Sequence, residues 1–292
     1  MGFEDKFLAG LDRRRERREE LSPTMTRAYE RARKQVLENP DYSIQESAFA
    51  DIYGAERVEA DMEVVKRLER RFTDGQTTES MNAKKIAETF EAIILMQSEL
   101  SEWFGNATTL KTAKYDDYKN KVDMLAEWYT PEDGTRLLAL AVDVTYGIQA
   151  VQKKFEDIKA EIDSGRLGSV RYFKDSRDNF MGTRNNVPRT VIGVSQSVVE
   201  QLASLWLEGE KRQLGQHPVQ RVLVDQMNTQ LLLMRDYAHR TNQGLVANAY
   251  DEALSAVRPV HSSKLDIRTQ SLDADPVAKE IARKTQEVFR TR

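Results

Sequence analysis

The stretches VDMLAEW (residues 122–128) and LLALAVDVTY (residues 137–146) decide how this chain is to be read. Both are short apolar runs rich in strand-forming residues, and between them lies TPEDG (residues 130–134), a dense turn signal. Strand side chains alternate between faces. In the second run Leu138, Leu140, Val142 and Val144 share one face, and Ala139, Ala141, Asp143 and Thr145 share the other. In the first run Val122, Met124, Ala126 and Trp128 oppose Asp123, Leu125 and Glu127. A short turn favours pairing of the two runs, which would bring Asp123 and Asp143 to one side of a sheet.

Outward from this pair, apolar Ile86, Phe90, Ile93, Ile94 and Leu100 recur at helical spacing and predict a helix over residues 82–104, stopped by Gly105-Asn106. A second helix is predicted over residues 147–164, ended by Gly165. VRYF (residues 170–173) and VPRTVIGV (residues 187–194) read as further strands, with an additional strand in ATTLKTA (residues 107–113). This order predicts an α/β (α+β) core with a central mixed sheet of about four to five strands and flanking helices. Helical N- and C-terminal extensions complete the expected architecture.

Four zones follow. Residues 1–79 are a charged helical extension, with Ser22-Pro23 starting a helix and Asn39-Pro40 ending it. Its block RRRERREE (residues 13–20) mixes charges and reads as a solvated face. Residues 80–195 form the α/β core. Residues 196–260 are C-terminal helices packing on that core, with apolar stripes through Val198, Leu202 and Leu205 and through Val219, Leu223, Met227, Leu231 and Met234. Residues 261–292 are a polar tail with a short helix at 276–289, expected to be loosely attached.

Bulk charge excludes a polycation: 44 Lys and Arg oppose 47 Asp and Glu among 292 residues, a net charge of −3. Cysteine is absent, which excludes disulfides, thiolate metal sites and cysteine nucleophiles. No run approaches the ~20 apolar residues that cross a bilayer. The first residues put acids first and carry a three-residue apolar patch, unlike a secretory signal, so a cytoplasmic location is expected. There is no phosphate loop, nucleophile elbow or HExxH, and His217, His239 and His261 lack ligand spacing. His217 before Pro218 reads as a helix-start residue. Arg171, Tyr172, Phe173 and Lys174 fit either base stacking or a strand that covers a core.

The chemistry lies in the acids. Two carboxylates on neighbouring strands repel and are costly to bury, and a hard divalent cation resolves both problems. Each Asp alone also fits a strand end. The helix before them carries Glu88, Glu91, Glu99 and Glu102 along one face, of which Glu91 or Glu99 is best placed to reach the site. A hydrolytic site of this kind often adds a lysine. Thr145 stands two residues after Asp143, so the lysine would come from the next helix, as Lys153, Lys154 or the more distant Lys159.

The stretches YDDYKNKVDMLAEW (residues 115–128), LALAVDVT (residues 138–145) and KKFEDIKAEIDSG (residues 153–165) together resemble the core of the PD-(D/E)XK nuclease superfamily, over roughly residues 82–195. The resemblance implies a Mg²⁺- or Mn²⁺-dependent enzyme that hydrolyses phosphodiester bonds of DNA or RNA. It would place Asp123, Asp143 and Glu91 on the metal, with Glu99 as the alternative helix acid. Lys153 or Lys154 would replace the strand lysine whose position Thr145 occupies. Asp117 is a further site candidate. The departure at Thr145 leaves two alternatives, an inactive nuclease fold that binds nucleic acid, and a structural or interaction protein.

Overall fold

The computed structural model describes residues 20–290 except 75–76, 131–135, 146 and 176–179; of 72, 73, 129, 130, 136–144 and 149 it describes the backbone. Most of the charged block at 13–20 and the turn at 131–134 therefore lie outside the described residues.

Local signals set the helix ends. Helix α1 (Pro23–Ala32) starts with Ser22 Oγ accepting from Met25 N at 3.2 Å and Pro23 in its first turn, and runs on into a π-turn, Arg33–Leu37. Two helices follow it, the single turn α2 (Ala50–Tyr53) and the long α3 (Ala55–Thr73). Helix α4 (Thr78–Ser101) is capped by Thr77, whose hydroxyl accepts from Ser80 N, and ends where Glu102 turns left-handed. Strand β1 (Thr108–Lys111) comes next, then a second π-turn, Asp116–Asn120.

Strands β2 (Met124–Thr130) and β3 (Arg136–Thr145) pair antiparallel, and β1 pairs antiparallel with the far side of β2. Helix α5 (Ile148–Asp163) ends at Gly165, which takes a φ of 71°. Strands β4 (Gly168–Lys174) and β5 (Met181–Val187) form a separate antiparallel ribbon. Strand β6 (Arg189–Gly193) lies parallel to β3, giving the order β1-β2-β3-β6. The C-terminal helices are α6 (Gln196–Glu208), the short α7 (Lys211–Gly215), α8 (Val219–Arg240), α9 (Gly244–Ser263) and α10 (Pro276–Phe289).

The expected α/β class, one central mixed sheet of four to five strands with the helices as extensions, is corrected: most of the described chain is helical, and its strands divide between the short sheet β1-β2-β3-β6 and a separate two-stranded ribbon. The VRYF segment, expected in the central sheet, leaves for the ribbon because a nearby partner in β5 is closer in sequence. The run expected as one strand over 187–194 splits at Pro188: the preceding Asn186 is left-handed, with φ 57°, and proline has no N–H to give a ladder. The helices are no extensions. Helix α1 packs on α4 and α6, and α8 lies on β6. The tail is not loosely attached either: α10 packs on α5 and α8, with Ile281 and Phe289 buried.

Two cores result. Met124, Ala126 and Trp128 face a large helical core with α4, α6, α8 and α9. Leu125, on the other face, joins Phe49, Val58, Val122, Tyr172 and Phe173 in a second core between the first helices and the ribbon. In that core Arg171 is ringed by Tyr53, Tyr115 and Tyr172 and paired with Asp61 at 2.7 Å. So Arg171 and its aromatic neighbours cover a core.

The free edge of β6 is closed by side chains. Gln230 Oε1 accepts from Val191 N at 2.8 Å and its amide nitrogen donates to Val191 O at 2.6 Å. Gln226, one turn earlier on α8, does the same for Gly193 at 2.9 and 2.8 Å. Asp275 caps α10 through Val277 N and Ala278 N and also accepts from Ser195 N, tying the tail to the start of α6. Among the described residues no helix is long and apolar enough to cross a membrane.

Candidate functional site

At the end of β1, between the two cores, Lys111 and the acids around it form a buried charged group. Lys111 Nζ stands 2.6 Å from Glu91 Oε2 and 3.5 Å from Asp117 Oδ2. The Lys111 and Glu91 side chains are 10% and 8% exposed, whereas Asp117 opens to solvent at 32%. Helix α4 supplies Glu91 from its sheet-facing side. Strand β1 supplies Lys111, fixed by backbone bonds to Tyr42 and Ile44 on its outer edge. The π-turn supplies Asp117, and its own position is held by Asp116, whose carboxylate accepts from Arg171 N at 2.7 Å and Tyr172 N at 2.9 Å.

Asp123 stands just before β2, half-buried, with its carbonyl accepting from Thr112 N. Met124 pairs with Val142, so the register carried one residue outward sets Asp123 opposite Asp143. Asp143 lies on β3 opposite Val191 of β6; its side chain is outside the described part of the structure. The backbone thus brings these two acids to facing positions on neighbouring strands.

Charge and burial pull against each other here. Burial works against the Lys111 ammonium, yet the summed attraction of Glu91, Asp117 and Asp123 raises its pKa above the ordinary lysine value. Burial pushes the Glu91 carboxyl up; Lys111 pulls it down, and repulsion from Asp123 and Asp117 adds to the rise, which wins. Asp117 is raised for the same reasons, burial first. Three carboxylates share one buried ammonium.

A carboxyl whose pKa is higher folded than unfolded keeps a proton that the unfolded chain has lost. Stability therefore falls as pH rises from the ordinary carboxylate range through the raised value. Chemical denaturation of the wild type and of Glu91→Gln between pH 5 and pH 8 checks this. The wild type is expected to lose stability relative to Glu91→Gln as pH rises; a constant difference between them would contradict the assignment.

The remaining expected residues lie apart. Glu99 is exposed and bonds Tyr42, about 12 Å further along α4 than Glu91 at 1.5 Å per residue. Lys153 is exposed on α5 and Lys154 half-buried there. Thr145 is buried, and its hydroxyl closes the turn into α5 by donating to Gly147 O at 3.2 Å. His217 is buried just before α8, its Nδ1 accepting from Val219 N; burial lowers its pKa to about 4. The sequence reading missed Lys111. Its signal was a lone lysine inside ATTLKTA, a strand run beside an acid-bearing helix.

Among the described residues no three acidic or histidine side chains already stand together as a metal-ligand set. The donors are nevertheless of the right chemistry: hard carboxylate oxygens in excess of the cation that neutralises them. No protein-family model, curated protein or solved structure matches this chain.

Proposed function

We propose that this chain is a divalent-metal-dependent nuclease acting in the cytoplasm on DNA or RNA. The observation that carries the reading is the surplus of carboxylates, Glu91, Asp117 and Asp123, around one buried lysine, with Asp143 in register beside them. Asp123 and Asp143 are the residues to hold Mg²⁺ or Mn²⁺, with Glu91 behind them. Bound there, the ion would supply Lewis acidity, which lowers the pKa of a ligated water and offsets charge on the phosphate. Lys111 takes the part that the resemblance gave to Lys153 or Lys154: its ammonium, aimed by Glu91, donates to the attacking water or to a phosphate oxygen. The water oxygen bonds to phosphorus, the bond from phosphorus to the leaving sugar oxygen breaks, and the proton lost by water passes to the leaving oxygen through solvent.

The test uses labelled single- and double-stranded DNA and RNA with Mn²⁺, Mg²⁺ or EDTA. Metal-dependent cleavage is expected, lost in Asp123→Ala and Asp143→Ala, and Mn²⁺ calorimetry is expected to show a site that both variants lose. A folded wild type that neither cleaves nor binds Mn²⁺ overturns the reading. A second reading, nucleic-acid binding without turnover, draws support from the 2.6 Å Glu91–Lys111 pair, which already neutralises one acid internally. It predicts Mn²⁺-independent affinity and no cleavage.

A further inference from the structure

A cluster of carboxylates repels the phosphates of any nucleic acid that approaches it, so a site of this kind needs a cation at its rim. The rim holds one in a defined setting. Lys84 lies on α4 seven residues before Glu91, and Lys84, Glu88 and Glu91 share one helix face at spacings of four and three. About 10 Å of helix separates Lys84 from Glu91. The Lys84 side chain is 50% exposed, 3.8 Å from Glu88. Its ammonium donates to the Tyr118 hydroxyl at 2.7 Å and sits 5.3 Å from the centre of that ring. Tyr118 directly follows Asp117 in the π-turn that Asp116 pins to the ribbon. Two independent elements, α4 and the π-turn, therefore each carry one acid of the cluster and one half of this Lys–Tyr pair. A lysine at an exposed helix position ordinarily samples many rotamers; this one is held by a phenol oxygen and a ring face while its side chain stays half exposed.

We propose that Lys84 binds a backbone phosphate of the nucleic-acid substrate next to the bond to be cut, and that Tyr118 is the positioning residue that aims its ammonium. The inference rests on the nuclease reading for the identity of the reaction, though the phosphate contact itself is measurable without turnover. The contact is to backbone, so it is indifferent to base sequence.

The experiment measures affinity of the full chain for a fluorescent oligonucleotide in EDTA across a salt series, beside Mn²⁺ calorimetry and steady-state cleavage. Lys84→Gln is expected to weaken binding about tenfold near 0.1 M salt and to reduce the slope of log affinity against log salt by about one unit. KM should rise with kcat and Mn²⁺ affinity unchanged. Lys84→Arg should restore most of the affinity, and Tyr118→Phe, which keeps the ring and removes the oxygen, should give an intermediate loss. An unchanged salt slope in Lys84→Gln overturns the inference and leaves the nuclease reading standing. Loss of slope in a chain that neither cleaves nor takes Mn²⁺ supports the phosphate contact and removes the nuclease. A wild type that binds no oligonucleotide at low salt overturns both.

Discussion

Replacing Lys111 by methionine is expected to cost about 3–5 kcal/mol of folding stability at pH 8, the usual consequence of leaving a buried charge without its partner. Methionine matches the length and apolar stem of lysine, so packing between α4 and the β1 edge is largely kept. What is lost is the ammonium that Glu91, Asp117 and Asp123 share. The cost should shrink at pH 5, where protonating the buried carboxyls that have lost their cation costs less, because the unfolded chain then holds more of those protons too. The double variant Lys111→Met with Glu91→Gln should recover much of the loss at pH 8, since the most buried acid then needs no cation and the more exposed Asp117 can be answered by solvent. Urea unfolding of the four proteins at the two pH values gives the whole comparison. Equal losses at pH 5 and pH 8 would show that ionisation of Glu91 does not matter, and with it the electrostatic account of the site would fall. Mn²⁺ added to the single variant offers a second readout, because a cation that enters the cluster should raise its unfolding midpoint.

The second large effect is expected at Gly193. A Cβ built there runs into the carbonyl oxygen and the methyl of Thr145, across the parallel contact of β3 with β6. The obstacle is backbone and cannot swing aside. Gly193→Ala should therefore cost about 3 kcal/mol or more, through overpacking alone. Gly147 provides the control two residues past Thr145 in sequence. Nothing lies within 4 Å of a Cβ at that position and its φ is −125°, ordinary for any residue. Gly147→Ala should stay within about 0.5 kcal/mol of the wild type. If both substitutions are equally mild, the close approach of β3 and β6 is looser than described.

The parts of the fold that were legible in the sequence are those set by neighbours along the chain. Ser22 before Pro23 starts α1, Gly165 ends α5, and the helix at 276–289 has those same bounds, because caps and periodicity act within a few residues. The alternation in VDMLAEW holds from Met124 onward, with Met124 and Trp128 in one core and Leu125 in the other, but Val122, ahead of the strand, joins Leu125's core and not Met124's. What was not legible depends on partners far away in sequence. VRYF looks the same whether it joins a central sheet or a ribbon. The tail reads as polar because its apolar face, Val277, Ile281 and Phe289, is narrow, and nothing local says that α5 and α8 wait for it.

The same division applies to the site. Asp123, Asp143 and Glu91 stand out in the sequence because acids in apolar runs break a pattern. Lys111 breaks it as well, but a single lysine near a strand end reads as solvated until α4 is laid across it. Glu99 fails for a geometric reason: same-face spacing does not tell which turn of a helix meets the sheet.

The amides of Gln226 and Gln230 carry a consequence for how this molecule goes wrong. A primary amide is the side-chain group that offers a donor and an acceptor at one planar tip, so each glutamine answers both the N–H and the C=O of its strand residue. In hydrogen-bonding geometry α8 serves as the fifth strand of the sheet. Glutamate in either place would leave an N–H answered and a carbonyl not, and lysine the reverse. When α8 lifts away, β6 stays paired with β3 but its outer edge, along the sequence RTVIG, is left open to accept a strand from another molecule. Polymerisation of the partly unfolded chain should thus begin at β6, and the helix above it acts as the guard against fibre growth.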